Sequence, residues 1–200
     1  MLVLGGCKAA TKIPLIESFI GTVNTVLLCP ALAFTFAKAT GKPVGKSLVD
    51  DTMLSTCQKI VEKSHQHNIE IVLPIDYQIG YEDQTKKLEL VDADKIPDNG
   101  IGISIGPKTI ALFKKKIDIA KTIFFNGTPG FSDQPETLEG AKNLLRAITE
   151  TSANTIISGG DSIAVAHMFG LLDTFTHVST GGGATLTYLS GQPLPGLECL

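Results

Sequence analysis

Thr155-Ile156-Ile157-Ser158-Gly159-Gly160-Asp161-Ser162 is the stretch on which the fold turns. A short apolar run stops on two glycines, and a carboxylate then opens a pattern that reads as helix as far as Phe169. Strand, glycine turn and helix make the unit from which parallel sheets with helices on both faces are built. The unit recurs along the chain. Leu2-Val3-Leu4 ends at Gly5-Gly6 before a helical pattern from Ala9 to Ile20, and Thr122 to Phe125 ends at Asn126-Gly127. Thr176-His177-Val178 breaks at Gly181-Gly182-Gly183, ahead of a helix to Leu189.

The segments between these units continue the alternation. Thr25 to Leu28 reads as strand and Ala31 to Ala39 as helix. Met53 to His65 carries Met53, Leu54, Cys57, Ile60 and Val61 at the spacing of one helix face. Glu70 to Leu73 reads as strand, Lys86 to Val91 as an exposed strand or hairpin arm, and Lys108 to Lys116 and Thr137 to Thr149 as helices. The expected fold is α/β: a three-layer α/β/α sandwich on a mainly parallel, Rossmann-like sheet, with residues 1–200 as a single domain. Ligands on such sheets sit at the carboxyl ends of the strands. The glycine-rich turns fall at those ends, where glycine permits close approach and frees amide N–H groups to point at anions.

Composition narrows the function. Hydrophobic residues make up 43% of the chain, charged residues 18%, and the formal net charge is −3. Nucleic acid is therefore not an expected partner, because phosphate backbones select concentrated Lys and Arg. No apolar run reaches the roughly 18 to 20 residues of a membrane span, and Met1 to Lys12 lacks a secretory leader. Cysteines at 7, 29, 57 and 199 form no CxxC pair and read as small buried hydrophobes rather than a metal or disulfide framework. The expectation is a cytoplasmic monomer. A chain that starts directly on a buried strand also suggests truncation.

Gly41-Lys42-Pro43-Val44-Gly45-Lys46-Ser47 imitates a phosphate-binding P-loop, but three residues separate its glycines where the motif needs four. Gly41 reads instead as the stop of the preceding helix, with Pro43 preventing its resumption. His65-Gln66-His67 places its histidines on different helix faces, and His167 and His177 read as structural. Lys114-Lys115-Lys116 reads as a solvated face near a helix end.

Four constellations carry chemistry. Lys8 and Lys12 share a face at a helix start, where cations are unfavourable without an anion, so they are either a phosphate site or a solvated surface pair. Asp161 suits a helix N-cap or a magnesium ligand. Asn126, with Asp133 nearby, is an ordinary Asn-Gly turn or a contact for a transferring phosphoryl group, the acid facing ribose hydroxyls. Gly181 to Gly183 can form an amide nest for an anion.

Read together, GGCKAATK, GKSL, GPKT, FNGTPG, SGGDS and STGGGA, in that order and ending on LPG, resemble the carboxyl-terminal half of the phosphoglycerate kinases. The family pattern is GGAKxxxK, GKSL, a GPKT-like segment, WNGPxG, GGGD(S/T) and STGGGA. The resemblance implies a nucleotide-binding half that takes Mg-ADP or Mg-ATP, in an enzyme moving a phosphoryl group between 1,3-bisphosphoglycerate and ADP. It implies phosphate contacts at Lys8, Lys12 and Asn126, Mg2+ held with the nucleotide at Asp161, and phosphate contacts from Gly159, Gly160 and Ser162. It also implies an adenine wall of Gly6, Cys7, Leu48, Gly102 and Ile103, a ribose contact at Asp133, and an amide nest by the transferred group at Gly181 and Gly182, with Lys8 beside it. The amino-terminal half, which would hold the phosphoglycerate, is the implied partner, and without it turnover is expected to be negligible.

Departures from the pattern are Cys29-Pro30-Ala31-Leu32 in place of GGGM, Phe125 for Trp, Thr128 inserted where Pro is usual with Pro129 shifted by one, Asp133 for Glu, and Ser158 for the first glycine of GGGD. The altered 29–32 segment is the best argument for the rival, a non-catalytic interaction module that keeps the fold. A dinucleotide-dependent oxidoreductase is disfavoured because GxGxxG is absent after the first strand.

Overall fold

The computed structural model describes residues 1–82 and 87–198. In chain order the strands are β1 (Leu2–Gly6), β2 (Thr25–Ala31), β3 (Glu70–Val72), β4 (Asp76–Gly80), β5 (Glu89–Asp92), β6 (Ile101–Ile105), β7 (Thr122–Asn126), β8 (Asn154–Ser158) and β9 (His177–Ser179). The helices are α1 (Ala9–Ser18), α2 (Leu32–Ala39), α3 (Leu54–Gln66), α4 (Pro107–Ile117), α5 (Glu139–Thr149), α6 (Gly160–Met168), α7 (Gly183–Leu189) and α8 (Pro195–Glu198). Of the expected hairpin arm, Lys86 lies outside the described residues, as does Cys199. Among the described residues no helix is long and apolar enough to cross a membrane.

Six strands form one parallel sheet in the order β3-β2-β1-β7-β8-β9. Alternation explains why it is covered on both faces. Leu2 and Leu4 of β1 point to one side, where Val26, Leu28, Ile13, Phe36 and Ile60 complete an apolar cluster. Val3, between them, points to the other, with Leu27, Phe125, Ile157, Phe113 and Leu145. Successive strand residues alternate faces, so a strand apolar at every position needs helices above and below. The architecture is the expected Rossmann-like α/β sandwich.

Helix α5 shows how the sequence supplies such a layer. Ala141, Leu144, Leu145 and Ile148 recur at helical spacing and are all fully buried. Each large side chain of that set contributes about 1.5–3 kcal/mol by leaving water.

A second, antiparallel sheet, β5-β4-β6, was not foreseen. Its core is Phe34, Tyr77, Ile79 and Ile96, with the Phe34 and Tyr77 ring centroids 4.7 Å apart. Asp76 is buried in it, and its carboxylate accepts hydrogen bonds from the Lys108 and Thr109 amides at 2.9 and 2.7 Å. That ties β4 to the start of α4.

The P-loop look-alike is built as the sequence suggested. Gly41 sits just past α2 at φ 76°, Lys42 N–H donates to Ala37 C=O, and Gly41 N–H to Lys38 C=O, the paired bonds of a glycine-ended helix. Farther on, Ser47 Oγ accepts from the Gly102 amide at 2.8 Å. The loop therefore anchors β6 rather than a phosphate.

Candidate functional site

Strand order reverses between β1 and β7: the chain builds β1, β2 and β3 outward on one side, then β7, β8 and β9 on the other. Loops leaving the carboxyl ends of β1 and β7 diverge there and open a crevice. A cleft of about 650 Å³ lies at this point. Gly6 reaches it from β1, Pro30 from β2, Asn126 from β7 and Gly159 from the end of β8.

Of the expected site residues, Gly6, Cys7, Lys8, Lys12, Asn126, Gly159, Gly160, Asp161 and Gly182 border this cleft, and so do Leu48, Gly102, Ile103 and Asp133. Two do not. Ser162 is sealed behind the wall, where its Oγ accepts from the Gly127 amide at 2.8 Å, and Gly181 lies outside the lining. Ser162 thus fixes the β7 loop to α6 instead of facing the opening.

Lys12 is the most unusual group. It is 7% exposed, and its ammonium donates to the Gly5 carbonyl. Among the described residues no carboxylate comes within ion-pair distance of it. Burial lowers its pKa from 10.5 to about 8, with Lys8 adding to the effect and Cys7, Cys29 and Asp161 opposing it. The solvated-pair reading therefore fails for Lys12, while Lys8, at the N-terminal end of α1, is exposed. A buried, unpaired ammonium is costly, and an arriving anion relieves that cost.

Backbone geometry supports this arrangement. Gly127, at φ 96°, leaves no room for a Cβ, which would collide with the Gly5 carbonyl and come within 2.5 Å of Lys12 Nζ. Asn126 is 4% exposed and donates one amide hydrogen to Ser158 C=O at 2.8 Å, leaving the second for a ligand. Asp161 occupies the first turn of α6, exposed, and Gly159 at φ 97° stands at the cap with no side-chain capping bond. The N-cap expectation for Asp161 is thereby corrected. Its carboxylate is available to the cleft.

The apolar wall is equally determined. Gly102 lies against Phe34, whose ring would collide with any Cβ there, and the Gly130 amide donates to Ile103 C=O at 3.1 Å. Leu48 remains 55% exposed at the cleft mouth. Together these set apolar groups along the same cleft as the Lys12 ammonium and the glycine turns. A smaller cavity of about 260 Å³ adjoins it and shares Cys7, Ala31 and Leu48.

Gly127 and Gly130 of the glycine turn after β7 also border the cleft, as do Phe131 and Ser132, which sequence reasoning passed over. The glycine spacing around Asn126 was the available signal. Cys29 and Cys57 are buried as expected, and burial pushes both thiols up to about 12. Cys7 is exposed, against expectation. All four histidines are exposed, so His167 and His177 are not core elements. Lys114 and Lys116 pair with Asp118 and Glu70 at 2.9 and 2.7 Å.

No group of three or more metal-ligating side chains occurs among the described residues. A lone exposed carboxylate such as Asp161 fits a magnesium ion that arrives with phosphates, since Mg2+ commonly takes one or two carboxylates and leaves its other positions to water and phosphate.

A family model described as phosphoglycerate kinase matches residues 1–192. This chain belongs to the phosphoglycerate kinase family. The phosphoglycerate kinase of Anaeromyxobacter dehalogenans (strain 2CP-1) is 38% identical over 197 residues, covering 98% of this chain and 50% of the relative. That of Lactobacillus delbrueckii subsp. lactis is 40% identical over 199 residues, covering 99% and 49%. Among solved structures, phosphoglycerate kinase from Coxiella burnetii superposes with a TM-score of 0.91 at 34% identity, covering 98% of this chain and 51% of that one. The chain thus spans about half the length of the phosphoglycerate kinases it matches.

Proposed function

We propose that this chain is the nucleotide-binding half of a phosphoglycerate kinase and that the cleft holds Mg-ADP or Mg-ATP. The observation that carries the reading is Lys12: a buried ammonium with no carboxylate partner among the described residues, on the floor of a cleft bordered by glycine turns and Asp161. In this reading Lys12, Lys8 and Asn126 contact the phosphates, and the Gly159 and Gly160 backbone approaches them closely. Asp161 completes the shell of the magnesium carried by the nucleotide. Gly6, Cys7, Leu48, Gly102 and Ile103 flank the adenine, and Asp133 at the rim meets the ribose. Gly182 amides, with Gly181 behind them, and Lys8 face the transferred group.

The proposed reaction is reversible phosphoryl transfer from 1,3-bisphosphoglycerate to ADP, giving 3-phosphoglycerate and ATP. Such transfer is governed by in-line positioning and charge stabilisation, with little covalent work for protein. The residues available here suit that demand, being cations and amides rather than nucleophiles. The acid substrate would be held by the other half of the enzyme, so this chain alone binds nucleotide without appreciable turnover. We further propose that residues 1–200 act as one cytoplasmic, monomeric unit with no nucleic-acid or membrane partner.

The test is calorimetric titration with Mg-ADP of the wild type and of Lys12→Ala and Asp161→Ala. Saturable binding that both substitutions weaken supports the reading. Absence of binding at millimolar nucleotide would leave a kinase-like fold serving as an interaction module.

A further inference from the structure

Three free cysteines lie among the described residues, and they differ in access. Cys29 and Cys57 are fully buried, closed to reagents while the chain is folded. Cys7 is exposed. It borders both the cleft of about 650 Å³ and the adjoining cavity of about 260 Å³, and it is the only thiol in either lining among the described residues. It stands directly after β1 and beside Lys8, the N-cap of α1, where the family pattern has alanine.

Access alone does not make a thiol a site. Lys12 supplies the second observation. It is 7% exposed, borders the same cleft, and has no carboxylate within ion-pair distance among the described residues. Its ammonium spends one of three N–H donors on the Gly5 carbonyl. Of the charges that favour the protonated form of Lys12, that of Cys7 acts most strongly, ahead of Cys29 and Asp161. The sulfur therefore lies within electrostatic reach of an uncompensated cation, with Lys8 next to it in the chain. A negatively charged group joined to this sulfur suits the larger cleft. The smaller cavity offers the opposite, since Asp50 and Asp51 line it and no lysine does. Asp133 and Asp161 also border the larger cleft, both exposed to water.

We propose that Cys7 is a modification site, where a small carboxylate-bearing disulfide exchanges with the thiol and leaves an anionic mixed disulfide that closes the cleft to nucleotide until a reductant removes it. The closing rests on the nucleotide reading given above, whereas the exchange itself does not. The Cys7 thiol loses its proton to solvent, and its sulfur attacks one sulfur of the reagent. A new S–S bond forms to Cys7, the reagent's own S–S bond breaks, and its second half leaves as a thiolate. Cys7 is thereby oxidised and the departing half reduced. The retained half brings its carboxylate to Lys12 and Lys8, the cations assigned to the nucleotide phosphates, and its bulk to the wall assigned to adenine.

The probe is dithiobis(nitrobenzoate), a carboxylate-bearing disulfide whose leaving thiolate is coloured, applied to the chain with Cys199→Ser. The native chain should release one equivalent of colour, and Cys29 and Cys57 should add theirs only in denaturant. Cys7→Ala and Cys7→Ser should release none while folded. Mg-ADP at about ten times its Kd should slow the release about tenfold, because only the empty cleft reacts. The labelled chain should no longer take Mg-ADP in calorimetry, and dithiothreitol should restore its binding. The same treatment should leave each Cys7 variant as it was before treatment. Lys12→Met should slow this probe more than it slows the uncharged bis(hydroxyethyl) disulfide.

No release from the native chain, or equal release from the Cys7 variants, would overturn the site. Release that Mg-ADP does not slow, from a chain that still binds Mg-ADP once labelled, would overturn the closing of the cleft. Equal effects of Lys12→Met on both disulfides would overturn the recognition by charge. Failure of the unlabelled chain to bind Mg-ADP would sink the nucleotide reading and the closing with it, while the released colour still reports separately on the exchange at Cys7.

Discussion

Replacing Lys12 with methionine should change the pH dependence of stability in a direction fixed by the sign of its pKa shift. The fold disfavours the charged form and lowers the pKa from 10.5 to about 8. Below about pH 8 both folded and unfolded chains carry the proton, and the fold bears the full desolvation cost. Between about 8 and 10.5 the folded chain gives up the proton while the unfolded chain keeps it, so stability rises with pH across that window. The whole span is worth about 3 kcal/mol, of which about 1.4 kcal/mol is recovered between pH 7 and pH 9.

Other groups pull the opposite way. Burial holds the Cys29 and Cys57 thiols up to about 12, so above about pH 9 the unfolded chain ionises first and stability falls. The informative quantity is therefore the difference between wild type and Lys12→Met, in which those shared contributions largely cancel. Urea titrations at pH 7, 8 and 9 should show wild type gaining about 1.4 kcal/mol on the variant, or about 3–6 °C in melting temperature for a chain of this size. At pH 7 the loss of the ammonium bond to the Gly5 carbonyl, worth about 1.5–3 kcal/mol, offsets much of the relief from removing the charge. Parallel pH profiles would refute the claim that Lys12 is a desolvated, uncompensated cation.

Gly127→Ala should abolish Mg-ADP binding and destabilise the fold, since a Cβ there meets the Gly5 carbonyl and Lys12 at a φ of 96°; calorimetry and thermal melts check both. Gly102→Ala should cost about 1–3 kcal/mol through overpacking against Phe34, with adenosine affinity falling in the same titration series. Leu145→Ala, in the centre of the α5 face, should cost about 2–5 kcal/mol in urea denaturation while leaving the Mg-ADP affinity of the folded protein within error of wild type.

Most of the parallel sheet could be read from the chain because its strands are apolar at successive positions and its helices carry periodic faces. Strand β4 could not. Asp76-Tyr77-Gln78-Ile79-Gly80 mixes a buried carboxylate, an amide and a glycine, and it pairs with residues 101–105, far along the chain. Only α4, whose first amides satisfy Asp76, makes that carboxylate acceptable in the core. Boundaries moved for similar local reasons: α1 ends at Ser18, short of Ile20, and Ala31 belongs to β2. Thr137 closes a short 3-10 turn before α5 begins at Glu139.

The site was legible as a set of glycine turns at strand ends, but its energetics were not. Spacing places Lys12 on a helix near its start, yet only packing decides whether water reaches the ammonium. The same holds for Ser162, whose hydroxyl looks available in sequence and is spent on Gly127. Cys7, in contrast, looked like core and lies exposed at the cleft because β1 ends one residue before it.

The most direct test is titration of the wild type with Mg-ADP at pH 8 in two buffers of different ionisation enthalpy. With Lys12 half protonated near that pH, a bound phosphate that restores its charge should draw in about half a proton per nucleotide. That uptake should vanish in Lys12→Met together with most of the affinity. Binding with no proton uptake, or equal uptake in the variant, would contradict the assignment of Lys12 as the phosphate-binding cation of this cleft.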